Sequence, residues 1–295
     1  MRTALLLTSL LLAQGASAER ITRETAAEQD GEVQIVNVSG NVHVIGWDQA
    51  KVQLVAELGS DAQELEFERD DDVTRIRVRW ARDAHNRDEH TDGSDLTVHV
   101  PRESTLMVKT VSASQRVENV IGEQRLQSVS GAILTSTAAE DLEAKTVSGE
   151  INVKGNGKPT STRITSVSGA IALEDVSGEF ELSTVNGLIQ LQAARIEEGR
   201  FNTTNGEIRI EGTSTDDAQI EAESINGAIH MTLRGQPNAA FEIESFNGEI
   251  RNCFGPKPRR TSEYAPGTVL RFSEGEGEGQ VRIKTLNGSI ELCNK

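Results

Sequence analysis

The feature that most constrains this chain is a six-residue pattern that returns eight times. It reads Ser or Thr, a usually apolar residue, Ser or Asn, Gly, any residue, Ile. The copies run Ser128–Ile133, Thr146–Ile151, Ser166–Ile171, Thr184–Ile189, Thr203–Ile208, Ser224–Ile229, Ser245–Ile250 and Thr285–Ile290. Their glycines stand 18, 20, 18, 19, 21, 21 and 40 residues apart. A degenerate copy, Thr110-Val111-Ser112-Ala113, precedes them. Repetition at a short, near-constant period marks a stacked architecture, in which no unit buries its apolar face alone.

Counting from each glycine exposes the logic of one unit. Position +2 is isoleucine in all eight copies, and +4 is usually apolar, as in Val153, Leu173, Leu191, Ile210 and Leu292. Positions −5 and −7 are often apolar as well, as in Leu126, Ile164, Phe201, Leu142 and Phe180. Apolar residues two apart mean strands with one buried face. Each unit therefore reads as strand, tight corner, strand and looser return. The expected fold is all-β, a parallel β-solenoid of roughly 18–21-residue coils. A β-sandwich of hairpins is the alternative, because Asn-Gly also marks hairpin turns. The Ser-Gly and Asn-Gly corners are expected to turn the chain through positive φ.

Stacked β-branched side chains explain how the core manages with only 3% aromatics. Outward position −6 reads Arg125, Glu143, Arg163, Glu181, Arg200, Glu221, Glu242 and Arg282, a row in which opposite charges mostly adjoin. A face that pairs with itself reads as structural.

The chain divides into three parts. Residues 1–18 read as a secretory signal: Arg2, a short apolar run and Ala16-Ser17-Ala18 as the cleavage site. Residues 19–107 alternate on a shorter rhythm and read as an N-terminal β-strand cap, with Trp47 and Trp80 expected in its core. Residues 108–295 hold the solenoid, with an insertion at about 254–280. No later segment approaches a membrane helix, so the mature chain reads as exported and soluble, periplasmic or extracellular. Thirty Lys+Arg against 46 Asp+Glu give a net charge of −16, which opposes nucleic-acid and anionic-lipid binding.

Cys253 and Cys293 both sit at +5. Adjacent coils would bring their Cα atoms within disulfide range, and an intervening coil would forbid the bond. A Cys253–Cys293 disulfide is expected to close the insertion and secure the last coil.

Candidate chemistry is sparse. His85, Asp88, Glu89, His90, Asp92 and Asp95 form an acidic, His-containing stretch, but their spacing matches no standard metal pattern and reads as a solvated loop. Outward position +3 offers Gln190, Arg209, His230 and Arg251, a polar ridge that could take a carbohydrate or an anionic partner. Paired carboxylates converging on one cleft, which a polysaccharide lyase or hydrolase would need, are not apparent. No cofactor site and no catalytic residue is read.

Val36-Asn37-Val38-Ser39-Gly40-Asn41-Val42, then a Trp, alternating strands and repeated Thr-Val-Ser-Gly and Thr-Val-Asn-Gly elements resemble the bacterial "putative adhesin" domain family of unknown function. The resemblance covers most of residues 31–295. It implies a β-solenoid and a cell-envelope setting, with no established activity. The expectation is a non-enzymatic envelope protein that presents a binding or scaffolding surface to an envelope protein or carbohydrate. Self-association end to end is the second reading, and a carbohydrate-active β-helix enzyme the third.

Overall fold

The computed structural model describes residues 20–80, 93–137, 140–262 and 266–295. The signal read at residues 1–18 lies outside these, as do His85, Asp88, Glu89, His90 and Asp92 of the acidic stretch.

The described residues form strands joined by corners and returns. The first are β1 (Arg20–Ala26), β2 (Glu32–Asn37), β3 (Gly40–Trp47), β4 (Lys51–Glu57), β5 (Ala62–Asp70), β6 (Val73–Trp80), β7 (Ser94–Pro101) and β8 (Thr105–Thr110). The middle holds β9 (Ser114–Glu118), β10 (Gln124–Gln127), β11 (Ile133–Ser136), β12 (Leu142–Lys145), β13 (Ile151–Lys154), β14 (Pro159–Thr165), β15 (Ile171–Thr184), β16 (Ile189–Thr203) and β17 (Ile208–Gly212). The last are β18 (Ser214–Ser224), β19 (Ile229–Leu233), β20 (Ala239–Ser245), β21 (Ile250–Asn252), β22 (Arg259–Arg260), β23 (Thr268–Glu274), β24 (Gly279–Thr285) and β25 (Ile290–Asn294).

Coils stack in parallel, so the fold is a β-solenoid and not a sandwich of hairpins. Each coil gives one strand to each of two rows. The first row runs β6-β2-β8-β10-β12-β14-β15-β16-β18-β24-β20. The second runs β7-β3-β9-β11-β13-β15-β16-β17-β19-β25-β21. β15 and β16 are long because each passes from the second row through its return into the first row of the next coil. The +2 isoleucines stack in register and are buried, as are the −5 positions.

Spatial order departs from chain order at both ends. β24–β25, last in the chain, lies between the β18–β19 coil and the β20–β21 coil. At the other end β2–β3, near the chain start, lies between β6–β7 and β8–β9. The stack therefore extends N-terminally beyond residue 108 into the region read as a cap. Antiparallel strands cover the outer edges: β5 on β6, β4 and β1 on β7, and β23 and β22 on β20. Such covering protects an open sheet edge from pairing with other chains. The coil that carries Cys293 is the last in the chain but the penultimate one in the stack.

The aromatic core expected in the cap is corrected. Val33, Ile35, Val42, Val44, Leu54 and Ile76 are fully buried there. Trp47 and Trp80 are only half-buried at its margin. Trp47 donates its Nε1–H to the Lys51 carbonyl at 2.9 Å and tilts against His99. At the opposite end Phe241, Phe254 and Phe272 cluster, with the Phe241 and Phe272 rings stacked 4.6 Å apart.

Candidate functional site

The corner shared by all coils is the most regular surface of the molecule. Inward side chains of the first row fall at −7, −5 and −3, so −3 closes the core with a small hydroxyl. Ser128, Thr146, Ser166, Thr184, Thr203, Ser224, Thr285 and Ser245 are all buried there. Several satisfy the corner backbone: Gly149 and Gly169 donate N–H to Thr146 Oγ1 and Ser166 Oγ at 2.9 and 2.8 Å. Ser245 and Thr285 donate to the Gly288 and Gly227 carbonyls at 2.9 and 3.1 Å.

The eight repeat glycines have no positive φ, which corrects the turn chemistry expected of them. Their reason is space. A Cβ on Gly206 would lie 1.9 Å from the Gly187 carbonyl oxygen, and one on Gly227 would lie 1.7 Å from that of Gly206. The corner backbones stack so closely that no side chain fits between them. In the degenerate copy Ala113 takes the glycine position: its N–H and that of Ser112 donate to the Val38 carbonyl at 3.1 and 2.7 Å, and the chain beneath turns at Gly40 with φ +98.

Position −1 N–H donates to the −2 carbonyl of the neighbouring coil along the whole stack. Examples are Ser148 to Val129 and Asn205 to Val185, at 2.8 and 2.7 Å. In the C-terminal half the −1 side chains add a second ladder. Asn205 donates to Asn186, Asn226 to Asn205, Asn287 to Asn226 and Asn247 to Asn287, all at 2.8–2.9 Å.

One step outward from the buried hydroxyl, −2 has the wrong parity for the core. Its apolar side chains face solvent. In spatial order they are Val111, Val129, Val147, Val167, Val185, then Thr204, then Ile225, Leu286 and Phe246. The apolar members are 40–49% exposed. Soluble chains seldom leave contiguous apolar patches beyond a few hundred Å² without a use for them. At the C-terminal half the insertion rises beside this ridge, and Thr261, Pro266 and Gly267 wall a groove of about 790 Å³ whose floor includes Ile225, Phe246 and Leu286. The repeat pattern contains this ridge. The signal for it was the apolar −2 residue whose parity opposes the buried −3, −5 and −7 positions.

The polar ridge read at +3 is present with one change. Gln190, Arg209 and His230 are consecutive neighbours, but Glu291 stands between His230 and Arg251. Arg209 is fixed by Glu207 at 2.6 Å, which holds its guanidinium above its usual pKa. His230 lies between Glu207 and Glu291 at 3.3 and 3.2 Å, and Arg251 pairs with Glu291 at 3.0 Å. Asp95 of the acidic stretch accepts a hydrogen bond from Asn41 at 2.8 Å. Among the described residues no group of three or more His, Cys, Asp or Glu side chains is placed to hold a metal ion. No helix among them is long and apolar enough to cross a membrane.

Cys253 and Cys293 form a disulfide with Cα atoms 4.7 Å apart. It ties the β20–β21 coil to the β24–β25 coil beneath it.

The family model described as Toastrack DUF4097 matches residues 57–293. The chain belongs to this family. No curated protein matches it. Among solved structures, a "putative lipid binding protein" from Parabacteroides distasonis is similar at 15% identity and TM-score 0.50, over 94% of this chain and 96% of that one. A "putative adhesin" from the same organism is similar at 12% identity and TM-score 0.46, over 93% and 97%. A "putative adhesin" from Bacteroides fragilis is similar at 12% identity and TM-score 0.33, over 94% and 98%. At such identities the likeness to the first concerns the Toastrack fold alone.

Proposed function

We propose that this Toastrack chain is an exported, non-enzymatic binding and scaffolding protein of the cell envelope, with the −2 ridge as its working surface. One observation carries the reading: a solvent-facing ridge, apolar except at Thr204, runs along nine stacked corners. A solenoid holds such a row without any cost of ordering at the moment of contact. The signal-like residues 1–18 and the disulfide suit an oxidising compartment outside the cytoplasm.

Outward acids in the solenoid mostly stand beside bases, as Glu181 does beside Arg163 at 2.7 Å. Acid–base catalysis would need carboxylates left free to face a substrate. The ion pairs along Gln190, Arg209, His230 and Arg251 likewise favour the −2 ridge over that row as the contact surface.

Retention of the purified mature chain on isolated envelope particles tests the reading. Val147→Lys combined with Val167→Lys places two charges on the ridge without touching the core. Loss of retention with unchanged circular dichroism and melting temperature is expected. Full retention by this variant would overturn the reading.

A further inference from the structure

This inference rests on the reading that the −2 ridge is the contact surface, and it concerns what covers it. We propose that the occupant is a second copy of this chain, docked side by side, ridge against ridge, with the two stacks antiparallel.

The ridge chemistry narrows the choice. Its apolar side chains are aliphatic except for Phe246 at one end, and Thr204, which would face Val167, is its one polar member. A glycan is held by aromatic plates and aimed polar groups, which this row does not offer. The net charge of −16 disfavours an anionic membrane. The rungs repeat every ~4.8 Å over nine coils, a contact about 40 Å long. A rigid partner meets every rung only if it has the same repeat, and the molecule itself has it.

Antiparallel docking then makes three columns complementary at once. The two-fold axis falls on the central rung, Val185. On the ridge, small meets large: Val111 faces Phe246, Val129 faces Leu286 and Val147 faces Ile225. Parallel docking would set phenylalanine on phenylalanine and leave the valines apart. In the −1 column the N-terminal half is serine and the C-terminal half asparagine. Ser112, Ser130, Ser148 and Ser168 would each face an asparagine amide.

In the −4 column Lys109 would face Glu244, and Lys145 would face Glu223. Lys284 would face Gln127, and the remaining rungs, Thr165, Asn202 and Ser183, are uncharged. Within the chain Lys145 pairs with Glu143, and Glu244 pairs with Arg271 at 3.0 Å. Lys109 and Glu223 hold no ion pair among the described residues, so each predicted cross-pair adds a partner to one unpaired charge. Complementary charge sets register and suppresses the parallel arrangement. The groove walled by Thr261, Pro266 and Gly267 would receive the valine half of the partner. Three columns along ~40 Å bury on the order of 800 Å² per copy, the size of a stable interface.

Sedimentation velocity of the full mature chain at rising concentration reads the mass directly. A dimer is expected, and Val147→Lys should weaken it at least tenfold while the melting temperature holds. Position reads the geometry. Val185→Cys lies on the axis and should give a covalent dimer on mild oxidation. Val129→Cys alone should give none, but mixed with Leu286→Cys it should cross-link. A monomer at every concentration would overturn the proposal. So would cross-linking of Val129→Cys to itself, or flotation of monomer with phosphatidylcholine vesicles through an intact ridge. Envelope retention separates this from the broader reading: a monomer retained through its ridge sinks the dimer alone, whereas a dimer retained equally by ridge variants sinks the ridge as the envelope contact.

Discussion

Ile229 stands in register with Ile290 and not with Ile250, the isoleucine that follows it in the repeat. The last coil of the chain is thereby slid in beneath the one that precedes it. The consequence shows on the outer face. In chain order the −6 row ends Glu221, Glu242, Arg282, with two acids adjacent. In space it ends Glu221, Arg282, Glu242, then Arg271 of β23. Arg282 reaches both glutamates, at 3.6 and 3.3 Å, and the row alternates without a break from Arg125 onward.

Reversing the charge at position 282 therefore tests the threading. Arg282→Glu would set three carboxylates in adjacent rungs. Each like-charged neighbour opposes by roughly 0.2–1 kcal/mol, so a loss of about 1–2 kcal/mol is expected in urea melts. Glu221→Arg alone should also destabilise, but added to Arg282→Glu it should cost little more, because the two reversed charges pair with each other and offset the clash with Arg200. If β24 were not beside β18, the two losses would simply add.

The corner glycines separate two reasons for glycine. Gly235 has φ +82 and nothing within 4 Å of the point where a Cβ would stand, whereas Gly206 has ordinary φ and a carbonyl oxygen 1.9 Å from that point. Asparagine tolerates positive φ but still carries a Cβ. Gly235→Asn is expected to be near neutral. Gly206→Asn must push two coils apart and should cost about 3 kcal/mol or more, or prevent folding. Denaturant midpoints of the two variants decide it, and similar midpoints would refute the close-stacking account.

Much of this was legible in the residues, for a physical reason. Burial on a period of two fixes which side chains face in, so Ile133 through Ile290 announced a stacked core, and the shared +5 position of Cys253 and Cys293 announced their adjacency. The order of the last coils was not legible, because every copy carries the same corner and any coil stacks on any other. The −6 charges held a weak clue in the adjoining Glu221 and Glu242. Nor did the pattern separate glycine for φ from glycine for space, since both write the same letter.

Acidification should weaken the fold in two stages. Burial, and then the nearby His43, lower the pKa of His99 from its ordinary 6.5. Arg271 and Arg282 hydrogen-bonded to Glu242, and Lys145 beside Glu143, hold those carboxyls below the ordinary 4.5. Each group binds its proton less readily in the folded chain, so the unfolded chain takes up more protons as pH falls and stability drops. Melting temperature should be flat above neutral pH, slope down between 6.5 and 4.5, and fall more steeply below 4.5. His99→Gln should remove the first slope and leave the second. An unchanged first slope would clear His99 of the effect.

The disulfide fixes the threaded end of the chain. Cys253 and Cys293 are 40 residues apart in sequence, and the loop between them contains β22, β23 and β24. Closing a loop of that length in the unfolded chain removes entropy equivalent to about 4 kcal/mol, usually an upper limit for what is measured. The paired change Cys253→Ser with Cys293→Ser is expected to lower stability by about 2–4 kcal/mol. Because β24–β25 contacts coils on both sides, the loss should appear in the global transition and not as fraying of one end. Hydrogen exchange locates it: protection should fall in β18, β19, β24 and β25 together. A loss confined to β20 and β21 would show that the outer coil opens alone and that the disulfide serves only that coil.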